Sequence, residues 1–340
     1  MLVIRRCESN EIHLVMEFID RFWQKGHVLS AHQGLMDWQH RAHDGKYNFL
    51  LALDGNALVG ILGYIPTRQF DPELKSDNVL WLVQWKVIDD AQYGGLGLRM
   101  LSTLSQMEHY TAIGTNGNNK LVRAIYKALG YKVGELRQYI VTNPDLPQRL
   151  IESPNGAVLP SPRGGGVELE EMDSDQLMGL PLQYRRSGHI PRKTPRYFVN
   201  RFLQHPVYRY RVFIAQEGSG RTALIATRIA EHDGHRVLRL VEFAGKASVL
   251  ASCGNAIATL MREEGAEYAD FWQMGILEDY LTAAGFSAVD PDGRIVVPNY
   301  FEPFLASNGR ILFAIRMVSL DGVIICRADG DQDRPNVIAS

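Results

Sequence analysis

The chain has 340 residues, with 36 Lys and Arg against 38 Asp and Glu and a formal charge of −2. That balance lacks the basic excess of a general nucleic-acid binder, no run approaches the ~20 apolar residues of a membrane span, and the three cysteines, Cys7, Cys253 and Cys326, are too far apart for a disulfide framework or a zinc site. With 46% hydrophobic residues, the length suits two folding units of a soluble, cytoplasmic α/β (α+β) protein with no metal.

The first unit spans 1–143. Residues 2–6 read as a strand rather than a signal peptide, and a helix starts at Ser9 or Asn10 with Val15, Phe18, Ile19 and Phe22 as its buried stripe. A second helical segment surrounds GLMDWQHRAHD. NFLLALDGNALVGILGY places two apolar runs around Asp54-Gly55, a hairpin signal. VLWLVQWKVID (79–89) is a nearly continuous apolar strand, buried on both faces. AQYGGLGLRML (91–101) follows, a glycine-rich turn leading into a helix with Leu98, Leu101, Leu104 and Met107. A strand at 111–114, a helix at about 118–129 and a strand at 131–142 close the unit. In that last helix Leu121, Ala124, Ile125, Ala128 and Leu129 form the predicted buried stripe, with Tyr126 at its flank.

Residues 144–166 are dense in Pro, Gly and Ser and read as a linker or surface strap. The second unit, 167–340, repeats the order of the first: the strand VELEEM, a helix, a hairpin, the strand VLRLVEF, a helix through Val249, Cys253, Ile257 and Leu260, the strand YADFWQM, and a helix ending at Gly285-Phe286. Each unit is expected to hold a mixed, mainly antiparallel sheet flanked by helices.

A strand, a bare turn and a helix together make an anion site, because the first helical amides are unpaired and glycine lets a phosphate approach them. A P-loop is excluded, since no Lys-Ser/Thr pair follows, and GGxG after an antiparallel hairpin is not the dinucleotide fingerprint. What remains is Q-x-x-G-x-G at Gln92, Gly95 and Gly97, or a tight turn without a ligand.

On Val87, Gln92, Gly95 and Gly97, followed by NKLVRAIYKALGY with Asn119, Tyr126, Gly130 and Tyr131, residues 1–142 resemble the GNAT (Gcn5-related N-acetyltransferase) superfamily; Asp89 replaces the family's proline and Lys127 displaces its lysine. The resemblance implies an acyl-CoA co-substrate. Its pyrophosphate would rest on the amides of Tyr93, Gly94, Gly95, Leu96, Gly97 and Leu98, and its pantetheine would run along Trp85, Lys86 and Val87. Tyr126 would protonate the leaving sulfur, unless it is a packing tyrosine with its hydroxyl in water. A backbone amide within 85–87 would meet the oxyanion. No general base is apparent: the central strand offers Gln84 and Lys86, and single histidines such as His27, His32 and His40 are more often structural.

The second unit reads FAGKASVLASCG where the first has its glycine turn, and Leu281 where the first has Tyr126, so it is expected to hold the acceptor instead. Candidate acceptor contacts are His27 and Trp38, then Arg192 and Arg196 in HIPRKTPRYFVNR, and Asp329, Asp331 and Arg334 in RADGDQDRPN, each with a plain structural alternative. Through FWQKGHVLS, LMDWQH, VLWLVQWKV and DGDQDRPN the whole chain resembles tandem-GNAT N-acyltransferases that act on nucleotide-linked (dTDP) amino sugars in surface-polysaccharide synthesis. Transfer to another small-molecule or protein amine, and a non-catalytic acyl-CoA sensor, are the competing readings. Only small-molecule partners are expected; oligomeric state is not legible.

Overall fold

The computed structural model describes residues 1–181, 188–218, 220 and 222–337. The first part of the chain supplies β1 (Leu2–Cys7), β2 (Tyr47–Asp54), β3 (Ala57–Pro66), β4 (Val79–Val87), β5 (Ala112–Asn118) and β6 (Lys132–Thr142). The rest supplies β7 (Glu168–Glu171), β8 (Tyr210–Gln216), β9 (Thr222–His232), β10 (His235–Gly245), β11 (Ala266–Met274), β12 (Ser287–Ala288), β13 (Pro298–Phe301), β14 (Phe304–Asn308), β15 (Ile311–Arg316) and β16 (Ile325–Cys326). Apart from the β13–β14 ribbon, these strands join one mainly antiparallel sheet in the order β1-β2-β3-β4-β5-β15-β6-β11-β10-β9-β8-β7, with β12 on β6 and β16 on β11. The expected mixed α/β sheet flanked by helices is what the chain forms.

The two parts interlock. β15 pairs with β5 on one side and with residues 132–136 of β6 on the other. The remaining half of β6 pairs with β11 and with the short β12. Residues 144–166 are fastened to the rest of the chain: Thr142 donates to Pro160 O, Leu150 and Ile151 are buried, and Arg163 N donates to Ala284 O.

β4 is buried on both faces. Val79 and Trp81 pack with Phe70 and Leu74, whereas Leu80 and Leu82 pack under the helix Leu96–Met107. That helix buries Leu96, Met100, Leu101 and Leu104, an amphipathic stripe at helical spacing. Two expectations about buried stripes are corrected. In the helix Lys120–Ala128 only Tyr126 is buried, and Leu121, 86% exposed, and Ile125 face outward. The apolar stripe and Tyr126 sit on different sides of the helix, and the sheet accepts only the tyrosine side. Near the N-terminus, the chain enters its helix through a capping box of Glu8 and Glu11, not a Ser9 or Asn10 cap, and Phe22 stays partly exposed at the end of the following π-turn.

Burial holds three histidines neutral. Desolvation lowers His27 to about 4, and His40 and His205 to about 3. The unfolded chain takes up these protons near pH 6.5 and the folded chain does not, so stability is present above pH 6.5 and is lost as pH falls towards 4. Thermal unfolding followed at pH 7, 6 and 5 should show Tm dropping with each step. A flat Tm would mean that these imidazoles are not desolvated.

Candidate active site

β4 and β5 are parallel neighbours over only three residues, Val79–Trp81 against Ala112–Gly114. Beyond them the strands part. Residues 115–118 of β5 go on pairing with β15, and 82–87 of β4 have β3 as their only strand partner among the described residues. On the β3 side, Leu62 faces Trp85 and Tyr64 faces Leu82, so Val83 and Gln84 bulge opposite Gly63, and a bulge bends the strand that carries it. The gap opens into a cavity of about 530 Å³, a usual size for a small-molecule site. Gln84, Trp85, Thr115 and Asn116 line its strand side, and the β13–β14 ribbon and residues 331–336 line the other.

The glycine turn stands at the end of β4. Asp90 caps Ala91–Tyr93 by accepting from Gln92 N, and its other oxygen takes the Gln92 side chain. The Gln92 amide is therefore spent on shaping the turn. Gly95, the helix N-cap, has φ +75°, a conformation that a β-branched residue cannot hold without strain. The turn's own bonds end with Tyr93 N on Asp90 O and Gly94 N on Ala91 O, and resume with Arg99 N on Gly95 O. Between them the amides of Gly95, Leu96, Gly97 and Leu98 precede any helical carbonyl they could reach. Gly97 is bare for a different reason: a Cβ there would stand 3.1 Å from the Trp85 indole nitrogen. Tyr93 reaches Asp54, Lys86 pairs with Asp89, Val87 pairs with Gly60, and Leu98 is exposed.

Asn119 caps the helix Lys120–Ala128, accepting from Leu121 N and Val122 N. About two turns on, Tyr126 is 3% exposed, packed edge-on to Trp85 and against Tyr131, with its hydroxyl beside Thr115. Burial raises its pKa, so the phenol keeps its proton. Residues of the two splayed strands and this tyrosine thus line one cavity, and the glycine turn stands beyond it at the end of β4.

Crystal structures of GCN5-related N-acetyltransferases from Anabaena variabilis and Kribbella flavida both superpose with TM-score 0.56. They are 9% and 13% identical to this chain, cover 94% and 93% of it, and are themselves covered to 74% and 72%. A conserved protein of Enterococcus faecalis, described as a probable N-acyltransferase, superposes with TM-score 0.55 at 10% identity, over 94% of this chain and 73% of its own. No protein-family model matches the chain, and no curated sequence matches it. The chain has the GNAT fold.

A similar parting of parallel strands in the second half is filled by the chain itself. β10 and β11 are also parallel neighbours that part after Leu240 and Phe271. Here the gap is closed by the C-terminal segment. β16 pairs with β11, Arg327 N donates to Trp272 O, and Ala328 N donates to Val241 O. The helix Gly254–Glu264 is likewise capped from outside, with Asn255 N on the strap carbonyl of Gly164. Both elements that stay open in the first half are occupied in the second by the protein's own backbone.

The acceptor-side residues expected from the sequence divide into two groups. His27, Asp331 and Arg334 line the cavity together with Trp85, Asn119 and Tyr126. Trp38, Arg192, Arg196 and Asp329 do not. Trp38 donates to Asn200 O and packs on Phe70 and His205, fastening the two parts of the chain together. Arg192 pairs with Asp77, and Arg196 is exposed beside a separate crevice near Glu73. Asp329 is fully buried with Glu242 on the Lys193 ammonium. Arginines and carboxylates near the C-terminus were read as ligand contacts because their types fit. The structure uses Arg201, Asp333 and Tyr210 in the same way, as an internal network that pins the C-terminal segment. Sequence reasoning missed Gln84 as a site residue; its only signal was a polar residue in an otherwise apolar strand.

Proposed function

We propose that this protein is an acyl-CoA-dependent N-acyltransferase whose acceptor is the amine of a nucleotide-linked (dTDP) amino sugar. The observation that carries the acyl-transfer reading is the gap between β4 and β5, with a protonated tyrosine in its wall and a glycine turn of unpaired amides following β4. An extended pantetheine arm suits the unpaired edge at 82–87, as a strand suits a sheet edge. The amides of Gly95–Leu98 and the positive end of the Leu96–Met107 helix suit a pyrophosphate. A backbone N–H within 85–87 donates to the thioester oxygen as charge grows on it, and Tyr126 donates its proton to the departing sulfur. Only the first half holds the donor, because the second half has filled its own gap. In this division of labour, 1–143 is the donor unit, 144–166 the strap, and 167–340 the source of the acceptor wall.

For the acceptor, support comes from the cavity's composition. Trp23, Tyr300 and Phe301 offer aromatic faces for a base, and Asn299, Glu302 and Asn336 offer partners for sugar hydroxyls. Titration of the protein with CoA in a calorimeter should give one site per chain. Gly95→Val should weaken that binding at least about tenfold, ~1.4 kcal/mol, through strain in the turn; an unchanged affinity would remove the pyrophosphate from this turn. Thiol release from 3-hydroxybutanoyl-CoA or acetyl-CoA should depend on a dTDP-linked 3-amino-3,6-dideoxyhexose. Equal rates with a peptide amine or an aminoglycoside would point to a different acceptor, and CoA binding without transfer to any amine would point to a sensor.

A further inference from the structure

The donor side of the cavity supplies an acid but nothing to take the proton of the amine. Among the described residues, three carboxylates line the cavity: Glu302, Asp331 and Asp333. Asp333 has both oxygens engaged, one by Arg201 at 2.7 Å and the other by Tyr210 at 2.7 Å. Glu302 belongs to the β13–β14 turn and pairs with Arg228 at 3.3 Å. Asp331 differs. Its Oδ2 accepts from Gln84 Nε2 at 3.0 Å and from Arg334 at 2.7 Å, whereas among the described residues Oδ1 has only the distant Gln332 amide at 3.5 Å. One oxygen is anchored to the β4 bulge, and the other is left for a ligand.

The approach of this carboxylate is built into the chain. Gly117, at φ +86°, lets the Gln332 side chain pack where a Cβ would be 2.2 Å from it. Arg334 is held in turn by Gln39 Oε1 at 3.1 Å. His27 and His40, which feel the Asp331 charge, are held neutral by burial, and the ring nitrogen Nδ1 of His27 is already committed to Leu29 N.

We propose that Asp331 is the proton acceptor of the reaction: Oδ1 accepts a hydrogen bond from the acceptor's neutral amine and takes a proton from its nitrogen as that nitrogen attacks the thioester. This rests on the acyl-transfer reading above. The C–N bond forms as the carbonyl becomes a tetrahedral oxyanion; the nitrogen, now positive and strongly acidic, passes a proton to Asp331. The C–S bond then breaks, and sulfur takes the Tyr126 proton. Asp331 loses its proton to solvent and Tyr126 regains one, so amide and free thiol are the net products. Gln84 and Arg334 are positioning residues for this carboxylate.

Asp331→Asn and Asp331→Glu, with CoA affinity and far-UV spectra measured alongside, test the assignment in the full chain. With the dTDP-amino sugar as acceptor, Asp331→Asn should lower kcat about 10²–10⁴-fold and leave CoA affinity within about twofold. Its residual rate should climb with pH as the free amine becomes neutral, and Asp331→Glu should recover part of the activity. An unchanged kcat and pH profile, or an effect on KM alone, would overturn the role. Wild-type protein that binds CoA yet acylates no amine overturns the acceptor reading instead, and this proposal with it.

Discussion

Tyr126→Phe is expected to reduce kcat by about 10²–10⁴-fold with CoA affinity kept within about twofold. Phenylalanine preserves what the ring does structurally, since the packing against Trp85 and Tyr131 involves ring faces and edges. Only the hydroxyl beside Thr115 is lost. A thiolate leaving into a buried, low-dielectric site without a proton donor is a poor leaving group, and the loss falls on the chemical step. Because burial raises the phenol's pKa, wild-type kcat should show no downturn from tyrosine ionisation between pH 6 and 9. Thiol release in the presence of acceptor, together with calorimetric titration of CoA, reads both quantities. Turnover equal to wild type would return Tyr126 to the rank of a packing residue.

Lys193→Met is expected to destabilise the protein by about 3–5 kcal/mol, the cost of breaking a buried ion pair by removing one partner. Lys193, Glu242 and Asp329 are all essentially inaccessible, and the ammonium lies 2.6 Å from one carboxylate and 2.9 Å from the other. One cation faces two acids. Burial pushes Glu242 up to about 7, with Asp329 repelling its charge and Lys193 opposing the shift. Glu242 therefore carries a proton in mild acid, which balances the cluster. Without the lysine, both acids hold protons in the folded state that they lose on unfolding, so the stability of the variant should fall as pH rises. The variant should be weakest at pH 8 and partly recovered at pH 6, and Glu242→Gln placed on Lys193→Met should restore part of the loss. Denaturant unfolding at both pH values measures this. A loss independent of pH would mean that the methionine is badly packed, not that charges are stranded. The cluster also closes the second half's gap, because Asp329 accepts from Cys326 N directly after β16.

Much of the fold was legible because local spacing reports local structure. The hairpin at Asp54-Gly55, the doubly buried β4 and the turn before Leu96 each leave a periodic or glycine signature within about ten residues. Trp85, Asn119 and Tyr126, which line the cavity, were singled out by the same kind of signal. The exceptions are instructive: the stripe through Leu121 and Ile125 made a helix certain but did not say which side the sheet would accept. For Arg192, Arg196 and Asp329, residue type suited a ligand, but position made them part of ion pairs and surface.

By itself the sequence determined the kinds and order of most elements and the bare turn at Gly95, since each depends on neighbours along the chain, but not which side of the Lys120–Ala128 helix packs on the sheet. Only the tertiary structure decided that β15 enters the first half's sheet, that 325–328 closes the second half's gap, and that Asp331 meets Gln84 across 247 residues. Such contacts depend on which backbone fills a space left by distant strands, and no short-range pattern of residues records that competition.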